Sequence, residues 1–164
     1  MCKKTLFLLL ISLLSLFLAN SCQKKVFYEK IDPLPDEVWH IDSLLHYDFT
    51  IEDTLACFNM YINIRNSVDF ETQNFYIFMT TTFPNGDMAV DTLGCFISDI
   101  YGKWTGKGLG RVKENRFLFK SNIRFPQKGN YHIDVQQAMR ADKVKGIVNF
   151  GISLNYFDKD KTTK

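Results

Sequence analysis

Residues 75–87 read FYIFMTTTFPNGD. Phe75 to Phe83 carries no charge and is apolar at odd and even positions alike, which suits a central strand. It runs into Pro84-Asn85-Gly86-Asp87, and Asn-Gly between two apolar runs is a strong hairpin signal because its turn favours positive φ. The chain on both sides repeats the pattern. Upstream, Leu45, Tyr47, Phe49 and Ile51 alternate with His46, Asp48 and Thr50, and Phe58, Met60, Ile62 and Ile64 alternate with Asn59, Tyr61, Asn63 and Arg65. Downstream, Phe117, Phe119, Ile123 and Phe125 form one face opposite Arg116, Lys120 and Arg124. Tyr131, Ile133 and Val135 follow, then Val148, Phe150, Ile152, Leu154 and Tyr156. Successive strands with turn signals and no long 3.6-residue period predict an all-β fold, an antiparallel immunoglobulin-like β-sandwich. At most one short helix is expected, in VQQAMRAD (135–142). In RFPQKGNYHIDV (124–135) a Pro-x-x-Gly turn leads into Tyr131, which either hydrogen-bonds back across the corner or is a plain core tyrosine.

The first residues have a different job. Lys3 and Lys4 precede an apolar run, Leu6 to Ala19, interrupted only by Ser12 and Ser15 and shorter than the ~20 residues a spanning helix needs. This is an export signal. It ends on Ala19, Asn20 and Ser21, directly before Cys22, and resembles a bacterial lipobox, with Leu18 four places before the cysteine. On that reading the Cys22 thiol receives fatty acyl chains such as palmitate and Cys22 becomes the new N-terminus; the alternative is an ordinary secreted cysteine. Each buried CH₂ contributes about 0.8 kcal/mol of membrane affinity, so several chains on one residue hold a protein stably. The expected organisation is a signal at 1–21, a lipid-anchored tether and extended lead-in at 22–40 containing Pro33 and Pro35, the sandwich at 41–158, and a charged tail at 159–164.

With Cys2 removed and Cys22 acylated, Cys57 and Cys95 remain, in the similar hexapeptides DTLACF (53–58) and DTLGCF (91–96). A disulfide between them would close a loop contributing roughly 3 to 4 kcal/mol in the chain-entropy model. Two free thiols acting as small hydrophobes are the other reading.

Lys3 and Lys4 leave with the signal, so eighteen basic and eighteen acidic residues remain and the exported chain has no formal net charge. Bulk attraction to nucleic acid or an anionic membrane is not indicated by that balance. The charges are segregated: residues 22–99 hold thirteen acidic and four basic residues, residues 100–164 five and fourteen. A sandwich interleaves the two halves of its chain, so this asymmetry need not survive on the surface.

No catalytic constellation, metal site or cofactor site is expected. His40, His46 and His132 are scattered and fit neither a Gly-x-Ser-x-Gly nucleophile motif nor a standard zinc spacing. GKGLG (106–110) lacks the helix a phosphate-binding loop requires. Two features carry a partner-binding hypothesis. Trp104, flanked by glycines in YGKWTGKG (101–108), is either an exposed anchor for sugars or proteins or is folded back over the sandwich edge. Arg116, Lys120 and Arg124, four residues apart, share one strand face, either facing a partner or simply solvated.

Three stretches, DTLGCFISDIYGKWTGKGLG (91–110), IRFPQKGNYHIDVQQAMR (123–140) and GIVNFGISL (146–154), together with INIRNSVDFETQNFYIFM (62–79) and the lipoprotein signal, resemble the gliding-motility lipoprotein H family, GldH, of the Bacteroidota. The glycine-tryptophan segment departs from the family pattern in having Ile100-Tyr101 between Asp99 and Gly102. The resemblance implies an outer-membrane lipoprotein of the surface-gliding machinery, tied to type IX secretion, whose partners are other envelope lipoproteins or proteins of that apparatus. It brings no catalytic residue, and Cys22 is the one position with a defined chemical role. Members occur in species that do not glide. Lipoproteins of that phylum that reach the cell surface tend to carry acidic residues after the anchor; Gln23, Lys24 and Lys25 stand there instead, so the resemblance implies a periplasm-facing protein. A glycan-binding sandwich using exposed aromatics such as Trp104 is the alternative function.

Overall fold

The computed structural model describes residues 26–158. The expected export signal at 1–21, Cys22 and the expected charged tail at 159–164 lie outside the described residues. Ten strands run in chain order: β1 Val26–Pro33, β2 Val38–His40, β3 Leu45–Ile51, β4 Phe58–Ser67, β5 Asn74–Thr82, β6 Met88–Phe96, β7 Val112–Ile123, β8 Gly129–Gln137, β9 Lys143–Lys145 and β10 Ile147–Tyr156. Two four-stranded antiparallel sheets, β1-β10-β4-β7 and β3-β8-β5-β6, form the predicted β-sandwich, and β2 and β9 pair separately.

Alternation builds the core. Tyr47, Phe49 and Ile51 face inward from β3, Met60, Ile62 and Ile64 from β4, Phe75, Ile77 and Met79 from β5, and Phe150, Ile152 and Leu154 from β10. The Asn-Gly hairpin forms as predicted between β5 and β6: Gly86 takes φ 88° and donates its N–H to the Phe83 carbonyl at 2.9 Å. The corner reading of Tyr131 also holds. Its hydroxyl donates to the Gln127 carbonyl at 2.9 Å and accepts from the Gln127 N–H at 3.2 Å.

Two expectations are corrected. The lead-in at 22–40 is part of the sandwich from Val26 onward: β1 pairs antiparallel with β10, and Trp39 on β2 has no exposed surface. Its ring lies between the sheets, 5.0 Å from Phe150 and 5.6 Å from Phe75, with Nε1 donating to the Ser43 carbonyl at 3.0 Å. The prolines permit this because Pro33 ends an edge strand, where no neighbour needs its missing N–H. VQQAMRAD is not helical. Strand β8 continues to Gln137, and the only helical turn among the described residues is a 3-10 turn at Pro35–Glu37.

Candidate interaction face

β5 and β6 send alternate residues outward, and several of these outward residues are large and apolar, among threonines, Asn74 and Gly94. Tyr76 and Phe78 on β5 and Met88, Val90 and Phe96 on β6 are all exposed, Phe78 to 45% and Val90 to 67%. The register sets Tyr76 opposite Gly94 and Phe78 opposite Thr92. The Tyr76 ring lies on Gly94: a Cβ there would sit 2.7 Å from Tyr76 Cε1, so only glycine lets the ring lie flat. Because β6 is an edge strand, the patch reaches the rim of the sheet.

Next to this patch is a cleft of about 670 Å³, lined by Phe70, Tyr76, Met139 and Val144, with one acid, Glu71, and three cations, Arg140, Lys143 and Lys145, among its walls. Gln137 makes it. Its buried side chain accepts from the Met139 N–H at 2.7 Å and donates to the Ala141 carbonyl at 2.8 Å, folding the segment after β8 around one amide. The Tyr76 carbonyl accepts from the Ala138 N–H at 2.8 Å, and the Tyr76 N–H points at Met139 Sδ at 3.3 Å. Arg140, Lys143 and Lys145 have no ion-pair partner among the described residues. Among the described residues strand β9, which carries both lysines, pairs on one side only.

The same sheet face holds a polar block on β3 and β8. His46 lies opposite Asp134 and Asp48 opposite His132. His46 Nδ1 is 2.5 Å and His132 Nε2 2.8 Å from Asp134 Oδ1, while His132 Nδ1 is 2.6 Å from Asp48 Oδ1. The hydrogen bond to Asp48, opposed by partial desolvation and reinforced by Asp134, raises the His132 pKa. Two of the three histidines that look scattered in the sequence therefore stand together, their rings stacked at 5.6 Å. The available signal was the repeated tripeptide His-x-Asp, at 46–48 and 132–134, with an inward apolar residue between each pair.

The expected site residues fall elsewhere. Trp104 is half-buried, bridged to Ser98 and packed against the core, as in the folded-back reading. Asp99 organises its loop by accepting the N–H groups of Tyr101 and Lys103, each at 2.9 Å. Arg116, Lys120 and Arg124 do not form a single stripe. Arg116 stacks over Tyr61 with its guanidinium carbon 4.1 Å from the ring centroid; Lys120 reaches Asp91 of the other sheet at 2.6 Å; Arg124 lies beyond β7, its Nε 3.2 Å from Cys57 Sγ. The cause is irregular pairing: Met60 faces Lys120 but Tyr61 faces Leu118, and Asn122 has φ 53°, so strict alternation breaks within β7.

Cys57 and Cys95 are free thiols rather than a disulfide. Cys57 precedes β4, whereas Cys95 is buried on β6 in the opposite sheet, and burial pushes its thiol pKa up to about 12. The segregated charges do interleave. Arg111 holds Glu37 through two hydrogen bonds of 2.6 and 2.7 Å and Asp69 at 2.5 Å, joining the basic and acidic halves of the chain.

The chain matches the family model described as GldH lipoprotein over residues 26–154. It is 30% identical over 162 residues to the gliding motility lipoprotein GldH homolog of Christiangramia forsetii, covering 94% of this chain and 99% of that one. It is 28% identical over 155 residues to the gliding motility lipoprotein GldH of Flavobacterium johnsoniae, covering 90% and 96%. Among solved structures, the dimeric latent PorU of Porphyromonas gingivalis aligns with 85% of this chain at a TM-score of 0.35 and 8% identity; the chain spans 14% of that protein's length, and nothing is carried over from it. By the span of the family match and by both relatives, this chain belongs to the GldH lipoprotein family.

Proposed function

We propose that this chain is a non-enzymatic interaction component of the gliding-motility machinery and its linked type IX secretion apparatus, anchored in the outer membrane through acylated Cys22 and facing the periplasm. The observation that carries this reading is the juxtaposition of exposed Tyr76 and Phe78 with a cleft whose Arg140, Lys143 and Lys145 lack ion-pair partners. Apolar surface at a sheet rim beside uncompensated cations suits an extended segment of an envelope protein that carries apolar and acidic side chains. The open edge of β9 offers that segment backbone hydrogen bonds.

The test reverses Arg140, Lys143 and Lys145 to Glu together. Apparatus proteins that co-purify with the wild-type chain from solubilised envelopes should be lost, while single reversals should show a salt-dependent weakening, because rim charges act mainly on association. Wild-type recovery of those proteins by the triple variant at low salt and equal abundance contradicts the reading. Anchoring is tested separately by Cys22→Ser, which should abolish labelling with a clickable palmitate; equal label on the variant refutes acylation at that residue.

A further inference from the structure

We propose that His46 Nδ1, His132 Nε2 and a carboxylate oxygen of Asp134 form a zinc site on the outer face of the β3-β8-β5-β6 sheet, with Asp48 orienting His132 from behind. The donor atoms of these three residues all lie within 4.8 Å of one another. The strand register produces the arrangement. Two His-x-Asp tripeptides paired antiparallel place each histidine opposite the other strand's aspartate, and all four side chains leave the same face because Tyr47 and Ile133 point into the core.

Four features match a metal site rather than a solvated polar face. Both rings converge on a single oxygen, Asp134 Oδ1, instead of spreading toward solvent. Zinc bonds of roughly 2.0–2.1 Å set tetrahedral ligand atoms about 3.3 Å apart, so an ion requires the present 2.5 and 2.8 Å separations from Asp134 Oδ1 to open by less than about 1 Å, with the two ring nitrogens already within 4.8 Å of each other. The other ring nitrogen of His132 bonds to Asp48 at 2.6 Å, the carboxylate-histidine support that fixes tautomer and orientation in zinc proteins. Two imidazoles and one carboxylate favour zinc over calcium or magnesium, which take oxygen donors.

Filling the site replaces the ring protons facing Asp134 Oδ1 by the ion. Those protons pass to solvent and both imidazoles ligate as neutral rings, His132 keeping its Nδ1 proton on Asp48. Three protein ligands leave a fourth position. It opens outward, because His46 and Asp48 are exposed, so water or a donor side chain of a docked protein completes the shell.

The experiment uses the full chain in detergent without a histidine tag, stripped with chelator and titrated calorimetrically with Zn²⁺. One ion per chain is expected. His46→Ala and His132→Ala should each abolish stoichiometric binding, Asp48→Asn should weaken it about 10- to 100-fold, and His40→Ala, at an exposed histidine on β2, should leave it unchanged. Thermal midpoints in chelator establish that each variant is folded. Co²⁺ reports on the wild-type chain without any substitution: an intense visible d–d absorption is expected for a tetrahedral nitrogen–oxygen site. Absence of saturable binding, binding that survives the His46→Ala/His132→Ala double variant, or a thiolate-to-cobalt charge-transfer band placing the ion on cysteine would each overturn the proposal.

Discussion

The two outer faces of the sandwich come from the same alternation and end up chemically opposite. On the β1-β10-β4-β7 sheet the outward side chains satisfy one another. Asn63 Nδ2 donates to Ser153 Oγ at 3.1 Å, the Arg116 guanidinium spans Ser153 and Asn155 at 3.3 and 3.2 Å, and its plane covers Tyr61. The exposed Ile31 and Leu118 stand on β1 and β7, at opposite edges, with polar strands between them. On the β3-β8-β5-β6 sheet, apolar outward residues occupy two adjacent strands and the neighbouring cations are unpaired. A face that has closed its own hydrogen bonds gains little from a partner. One that has left apolar area and charge uncompensated gains a great deal.

The core between the faces sets the largest expected effect. Phe150 is fully buried against Trp39 and Tyr47, so Phe150→Ala should cost about 3 to 5 kcal/mol and lower the thermal midpoint sharply. An unchanged midpoint would mean that the register of β10 is shifted by one residue and that both faces are misassigned.

Gln137→Ala comes next. It orphans the Met139 N–H and the Ala141 carbonyl and should cost about 1 to 3 kcal/mol. Hydrogen exchange should accelerate at residues 138–142 more than at the Arg116 face. Uniform acceleration would show that the cleft is not a separately organised part of the fold.

Arg116→Ala sharpens the contrast from the other side. Exposed ion and cation–π contacts of this kind contribute at most about 1 kcal/mol, so stability should shift slightly and partner recovery not at all. Phe78→Ser should lower the midpoint far less than Phe150→Ala, since close to half of the Phe78 surface is already exposed, yet reduce partner recovery. Similar losses of recovery from the two variants would erase the distinction between the faces.

The smallest effect is chemical. In the native chain iodoacetamide should modify the half-buried Cys57 while sparing buried Cys95, and both should react once unfolded. Mass spectrometry locates the adducts; resistance of both until reduction would restore the disulfide.

The strands were legible because burial imposes a period of two, and the hairpin and the tyrosine corner because each rests on a local signal, Asn85-Gly86 and Pro126 to Tyr131. What escaped depends on partners distant in sequence. Val26–Pro33 reads as a lead-in until β10 supplies its neighbour, and Trp39 is a core residue only because both sheets close around it. Arg116, Lys120 and Arg124 share a face only under unbroken alternation, which the irregular β4–β7 pairing removes. The apolar run at 75–83 does lie inside a sheet, between β8 and β6, but apolarity on both sides of a strand does not say whether a second layer covers both. Here the outer side is bare, and that bareness is the basis of the candidate site. His46 and His132 looked unrelated for the same reason as Trp39: their proximity exists only in the β3–β8 register.

The claim that docking is confined to one face is tested most directly by a photo-crosslinking side chain placed at single positions in living cells, at Phe78 on the open face and at Tyr61 on the closed one. Adducts to a protein of the motility or secretion apparatus are expected from position 78, diminished when Arg140, Lys143 and Lys145 are reversed to Glu, and none above background from position 61. Adducts to apparatus proteins from position 61 with none from position 78 would contradict it.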